Sequence, residues 1–103
     1  MTQIPDTTFS LRHDSAGSVF ELLDGDQVIG ELNYQEANLA SGAPAWNLIH
    51  TGVRPEYRNQ GLAAELVRFT MDAAAEAGFK VIPTCPYIRV WLRKNSDYQN
   101  LTR

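Results

Sequence analysis

Arg58-Asn59-Gln60-Gly61-Leu62-Ala63 joins a fixed positive charge to a glycine-led helix start. The Arg58 guanidinium is a planar fork of donors. Gly61 has no Cβ, so a ligand can approach its backbone. The helix it opens leaves its first N–H groups unpaired and turns the positive end of its dipole toward the loop. A phosphate or pyrophosphate suits such a turn. Two common phosphate loops are absent, since neither Gly-x-Gly-x-x-Gly nor Gly-Lys-Ser/Thr occurs. Two further side chains carry reactive chemistry. Cys85 precedes Pro86, a residue favoured at helix position N1, so Cys85 falls at an N-cap where the dipole favours a thiolate. Arg89, one turn later, adds a positive charge. The alternative for Cys85 is a small buried apolar residue. His50 is suited to taking a proton from an amine or from Cys85. Its alternative is a packed imidazole bonded to a neighbouring strand or loop.

These residues need a frame. Thr8–His13 and Ser18–Leu23 read as strands about the turn Asp14-Ser15-Ala16-Gly17. Asp24-Gly25-Asp26 is a hairpin turn into a third strand, Gln27–Tyr34. Glu36–Pro44 is rich in small residues and reads as a loop. Ala45–Val53 is a fourth strand, and Pro55 cannot continue its ladder. In it, His50 alternates with Leu48 and Gly52, opposite Ile49, Thr51 and Val53. The second set is expected to meet the long helix.

That helix runs from Gly61 to Gly78, a natural C′ residue. Its apolar stripe reads Leu62, Leu66, Phe69, Ala73 and Ala77, flanked by Ala63, Val67, Thr70 and Ala74. Phe79–Thr84 is a fifth strand and Pro86–Lys94 a short helix with Ile88, Trp91 and Leu92 inward. Met1–Asp6 reads as a loose terminus. The order predicts an α+β fold with a mixed, mostly antiparallel sheet of about five strands and two helices. Strands four and five, joined through a helix, are expected to be parallel.

The phosphate turn, Arg58-x-x-Gly61-x-Ala63, resembles the acetyl-CoA signature of the GNAT superfamily of N-acetyltransferases, Arg/Gln-x-x-Gly-x-Gly/Ala. Val53-x-Pro55 upstream and the amphipathic helix downstream sharpen the match. His50-Thr51-x-Val53, then Val81-Ile82-Pro83-x-Cys85-Pro86-Tyr87, then Tyr98, resemble the short Yjdj-type branch in the same order. The likeness covers roughly Asn33 to Tyr98; the first thirty residues match only as a strand pattern. Gly52 departs from it, where many relatives carry a polar or acidic residue.

The resemblance implies one domain over residues 1–103 and acetyl-CoA as cosubstrate, with a primary amine, such as a protein lysine, as acceptor. It implies that pantetheine lies where strands four and five part, on the backbone of Val53 and Arg54. Arg58, Asn59, Gln60, Gly61, Leu62 and Ala63 would hold the phosphates. Cys85 would lie near the thioester as nucleophile or positioning group. Tyr87 and Tyr98 are candidates for protonating the leaving thiolate, with core packing the stronger reading of both. Family members usually have two helices between their first two strands. Only Asp14–Gly17 fills that interval here, which predicts an open acceptor side. The rival readings are an acyl-CoA-binding module without turnover and an interaction domain that keeps only the fold.

Composition sets outer limits. A chain of 103 residues, 44% apolar and 20% charged, fits one globular domain. With no apolar run near membrane length and no basic-apolar leader, the expectation is a cytoplasmic protein with no membrane partner. One cysteine excludes an internal disulfide or a multi-cysteine zinc site, and two separated histidines give metal binding little support. The net charge of −3 divides unevenly, −6 over residues 1–50 and +3 over residues 51–103. The basic half holds the phosphate turn; the acidic half would attract a cationic acceptor. An acidic pI of about 5.2 disfavours nucleic-acid binding.

Overall fold

The computed structural model describes residues 1–103. Six strands form one sheet in chain order: β1 (Thr2–Gln3), β2 (Phe9–Asp14), β3 (Val19–Asp24), β4 (Gln27–Asn38), β5 (Pro44–Val53) and β6 (Lys80–Pro83). The first five pair antiparallel through short turns, as local hairpins must. Helix α1 (Leu62–Ala77) carries the chain across to β6, which pairs parallel with β5. Helix α2 (Pro86–Lys94) follows. The expected mixed sheet is present, and Asp14 leads to Val19 without an intervening helix.

Three expectations need correction, and one element was not anticipated. The terminus is not loose: Thr2–Gln3 pairs with Leu11 and Ser10, and the Ile4 N–H donates to Phe9 O at 2.9 Å. Strand β4 runs on to Asn38, because Ala37 and Asn38 pair with Ala45 and Pro44; the connecting loop shrinks to residues 39–43. Backbone pairing overrides the weak strand propensity of those small residues. The C-terminal Ser96–Thr102 forms a 3-10 helix that buries Leu101. Finally, the buried line of α1 is Leu62, Leu66, Val67, Thr70, Met71 and Ala74. Phe69 and Ala73 are half-buried and Ala77 is exposed, so the inward face is turned about one residue from the expected stripe. Thr70 is tolerated there because its hydroxyl donates to Leu66 O at 2.9 Å.

One cluster of nineteen buried residues joins both helices to a single face of the sheet. Register assigns that face: Phe20 opposes Leu32, Tyr34 opposes Leu48, and Leu32 opposes Thr51. A register shift between Asn33 and Tyr34 leaves Ile49 bulged out of β5. Leu48, fully buried, and Thr51 therefore share the core face although they are three residues apart, and Ile49 is 36% exposed. The expected grouping of Ile49 with Thr51 and Val53 fails for this reason. His50 and Gly52 do alternate away from the core, beside Asn33 and Glu31.

Candidate functional site

β5 and β6 stay together for only four residue pairs, ending at Leu48 and Pro83. The Cys85 N–H then donates to Leu48 O at 2.9 Å, the last backbone bond across this gap. Beyond it β6 is gone, and the edge of Thr51–Val53 faces a groove of about 450 Å³. Thr51, Gly52 and Val53 form its floor; Tyr57, Arg58, Asn59, Gly61, Leu62 and Ala63 form one end; Tyr87 of α2 stands over it. The expected parting of these strands is present, and it begins at Leu48, opposite Pro83, five residues before the expected Val53.

The turn at the end of the groove is built tightly. Pro55–Tyr57 is a single 3-10 turn, closed by Tyr57 N–H to Arg54 O and Arg58 N–H to Pro55 O. Asn59 and Gly61 both take positive φ, 66° and 74°. Asparagine tolerates that region and glycine enters it freely. Arg58 lies back along the turn, its Nε donating to Val53 O at 3.2 Å. No side chain caps α1, and its first backbone bond is Glu65 N–H to Gly61 O. The donors before Glu65 are thus left facing the loop. A Cβ on Gly61 would meet no atom within 4 Å, so the space beside this backbone is open.

The turn is also anchored from behind. Tyr57 Oη donates to Asp24 Oδ2 at 2.7 Å, and Thr8 Oγ1 donates to Asp24 Oδ1 at 2.5 Å. The hydrogen bonds from Thr8 and Tyr57 hold the Asp24 carboxyl below its ordinary range, and the bond to Asp24 raises the Tyr57 phenol.

Of the expected cofactor residues, Val53, Arg58, Asn59, Gly61, Leu62 and Ala63 line the groove. Gln60 is exposed outside the lining. Arg54 spends its N–H on Ile29 O at 2.8 Å and instead borders a second depression beside β4. Arg89 binds the carbonyls of Thr84 and Pro83, at 2.7 and 3.4 Å, and so braces the start of α2.

Cys85 and His50 do not meet across the strand. Cys85 is the N-cap of α2, as its spacing to Pro86 predicted, but it is only 6% exposed and belongs to the core cluster. Its thiol donates to Thr51 Oγ1 at 3.7 Å. Thr51 points to the core face and His50 to the other, so His50 is not arranged as a base for Cys85. The His50 imidazole is exposed and leans over its neighbour: a Cβ at Gly52 would lie 3.0 Å from His50 Nε2. The ring thus fills the space that a side chain at position 52 would take.

The expectation of core packing for Tyr87 is overturned, because it is 42% exposed and overhangs the groove. Partial burial raises its phenol pKa. Its position one residue after the Pro86 helix start was the available signal. Tyr98 is structural: it donates to Asp72 Oδ1 at 2.7 Å, accepts from Arg68, and packs on Trp91. Tyr57 was missed as a lining residue, since only the fold brings it to Asp24. No group of three or more histidine, cysteine, aspartate or glutamate residues is arranged to hold a metal ion. No helix is long and apolar enough to cross a membrane.

Comparison with known proteins agrees with this geometry. Protein NATD1 of Xenopus tropicalis is 29% identical over 100 residues, which is 96% of this chain and 88% of that protein. The solution structure of a GCN5-like protein from Staphylococcus aureus superimposes with a TM-score of 0.67 at 23% identity, covering 91% of this chain and 87% of the other. An aminoglycoside acetyltransferase from an uncultured soil sample, solved with sisomicin, gives a TM-score of 0.59 at 18% identity over 79% of this chain and 55% of its own. Residues 19–101 match the sequence profile of the GCN5-related N-acetyl-transferases, and the chain belongs to that family.

Proposed function

We propose that the protein transfers the acetyl group of acetyl-CoA to a primary amine, with a lysine side chain of a peptide or protein as the acceptor. The observation that carries this reading is the groove between the unpaired end of β5 and the uncapped start of α1. The strand edge at Thr51–Val53 suits an extended amide chain, as in strand addition. Arg58 and the free N–H groups of the turn suit a pyrophosphate. Family membership supports acetyl-CoA as the cosubstrate.

In the step we favour, His50, directly or through one water, takes a proton from the acceptor ammonium. The amine nitrogen attacks the thioester carbon, the C–S bond breaks, Tyr87 protonates the departing thiolate, and the second proton shed by the new amide nitrogen restores the phenol through water. The Tyr87 phenol carries its proton at neutral pH and overhangs the groove, which is the geometry a proton donor needs. Burial of the Cys85 thiol under Thr51, away from His50, favours direct attack over an acetyl-cysteine intermediate. Cys85 then serves to position the start of α2 and the floor of the groove.

The absence of a side chain at Gly52 favours one other reading, an acyl-CoA-binding module without turnover. Calorimetric titration with acetyl-CoA, followed by mass detection of acetylated lysine peptide, separates the two. Saturable binding with time-dependent peptide acetylation is expected. Firm binding without transfer to any amine selects the module, and no binding at all refutes both.

A further inference from the structure

The groove has a neighbour. On the far side of Gly52 and Val53 a second depression, about 360 Å³, is bordered by β4 and the end of β5. Gly52 and Val53 line both, so one backbone segment is the wall between them. Glu31 lies directly opposite Gly52 in the β4–β5 register, on the same face as His50. Opposed Cβ positions in an antiparallel pair lie about 5 Å apart. With no side chain at Gly52, the His50 ring fills the space there, which brings the imidazole toward the Glu31 position.

We infer that this depression receives the acceptor and that Glu31 binds the acceptor's ammonium, an inference that rests on the acetyl-transfer reading. Glu31 is exposed and makes no hydrogen bond or ion pair. The cation across the sheet on that face is already committed: Arg12 forms the molecule's only salt bridge, with Glu21, at 2.7 Å and with a second bond from Nε at 3.0 Å. Glu21 stands directly across β3–β4 from Glu31. Two carboxylates so opposed repel, and Arg12 relieves only one of them, so a cation at Glu31 is stabilised. The ammonium held there lies beside His50, the group that must take its proton.

The ligand class follows from the two ends of the depression. Glu31 offers a single free carboxylate, while Arg54 at the other end is positive. A side chain bearing one ammonium on an alkyl stem fits this polarity. A polyamine would bring its second cation toward Arg54. Glu31 is therefore a residue that selects a lysine-like acceptor, and acetyl-CoA on the other side of Gly52 does not contact it.

The test uses Glu31→Gln, which keeps the shape and removes the charge. The acceptor KM for a lysine peptide is expected to rise about tenfold, the loss of one charge-assisted hydrogen bond. The acetyl-CoA Kd is expected to stay within about twofold, and spermidine is expected to be a poorer acceptor than the peptide for the native protein. An unchanged peptide KM overturns the assignment. A second readout does not need turnover: amide shifts of Glu31 and Gly52 on titration with Nα-acetyl-lysine methylamide. Shifts in the native protein that vanish in Glu31→Gln keep the binding site even if no acetyl transfer occurs. No shifts at these amides remove the site whether or not transfer is seen.

Discussion

The glycines at the two ends of α1 offer a matched test of the groove. Gly61 and Gly78 hold nearly the same conformation, φ 74° and φ 80°, and a Cβ at either would touch nothing within 4 Å. The cost of alanine at each is therefore backbone strain alone. Left-handed backbone costs a non-glycine residue about 1–2 kcal/mol, partly offset by the smaller entropy of the unfolded chain. Each substitution should destabilise the fold by about 1 kcal/mol, lowering Tm by about 4–8 °C in a domain of this size. The two differ in what lies beside them. Gly61 adjoins the uncapped N–H groups and Arg58, whereas Gly78 closes the far end of the helix, its N–H bonded to Ala74 O and Ala75 O. Gly61→Ala should raise the acetyl-CoA Kd by about tenfold, the loss of one phosphate hydrogen bond. Gly78→Ala should leave it unchanged. Thermal unfolding and calorimetry on the pair measure both quantities. If both variants lose the same stability and both bind acetyl-CoA like the native protein, the turn is not the phosphate site.

Three more outcomes follow from other contacts. Cys85→Ala should keep its rate of acetyl transfer at a cost of about 1 kcal/mol in stability for the small cavity; loss of transfer with retained acetyl-CoA binding would restore the covalent route. Tyr87→Phe should lower kcat while leaving the acetyl-CoA Kd unchanged, and an unaltered kcat would remove the phenol from the proton path. His13 stacks on Phe20 with ring centres 4.0 Å apart, shares a 2.7 Å hydrogen bond with Tyr34 Oη, and has its pKa lowered from 6.5 by burial, opposed by Asp14. The unfolded chain takes up this proton before the folded one does, so stability should fall as pH drops below 6.5. Urea unfolding at pH 7.5 and pH 5.5 should show a smaller drop for His13→Gln than for the native protein; equal drops would exclude His13 as a source.

What could be read in the sequence was whatever depends on near neighbours. Gly61 and Gly78 bracket α1 because each has a positive φ that glycine supplies cheaply, and Cys85-Pro86 starts α2 for a comparably local reason. The glycine-led turn before α1 was legible because its parts lie within six residues. The rest depends on pairing across the sheet. Ala37 and Asn38 become strand only because Ala45 and Pro44 lie beside them. The bulge at Ile49 leaves no local mark, yet it decides that Leu48 and Thr51 share a face. Without it, Cys85 and His50 could be imagined as a pair; with it, they are separated by the strand itself.

The bulge gives β5 three separate duties within a few residues. Its edge at Thr51–Val53 is free because β6 ends at Pro83, opposite Leu48. Its core face at Thr51 meets the buried Cys85 thiol, which ties the groove floor to the first turn of α2. Its outer face at His50 and Gly52 stays open, with no helix from the β2–β3 connection to cover it. On the proposed function, cofactor binding, support and proton transfer thus act on three sides of one strand. Gly52 and Val53 are common to the groove and the neighbouring depression. A larger residue at position 52 would do little to the core, since Gly52 points away from it. It would displace His50, whose ring already occupies that space. The glycine that departs from the family pattern and the exposed histidine beside it are therefore one feature: the imidazole can stand over the wall between the proposed cofactor and acceptor sites because position 52 has no side chain.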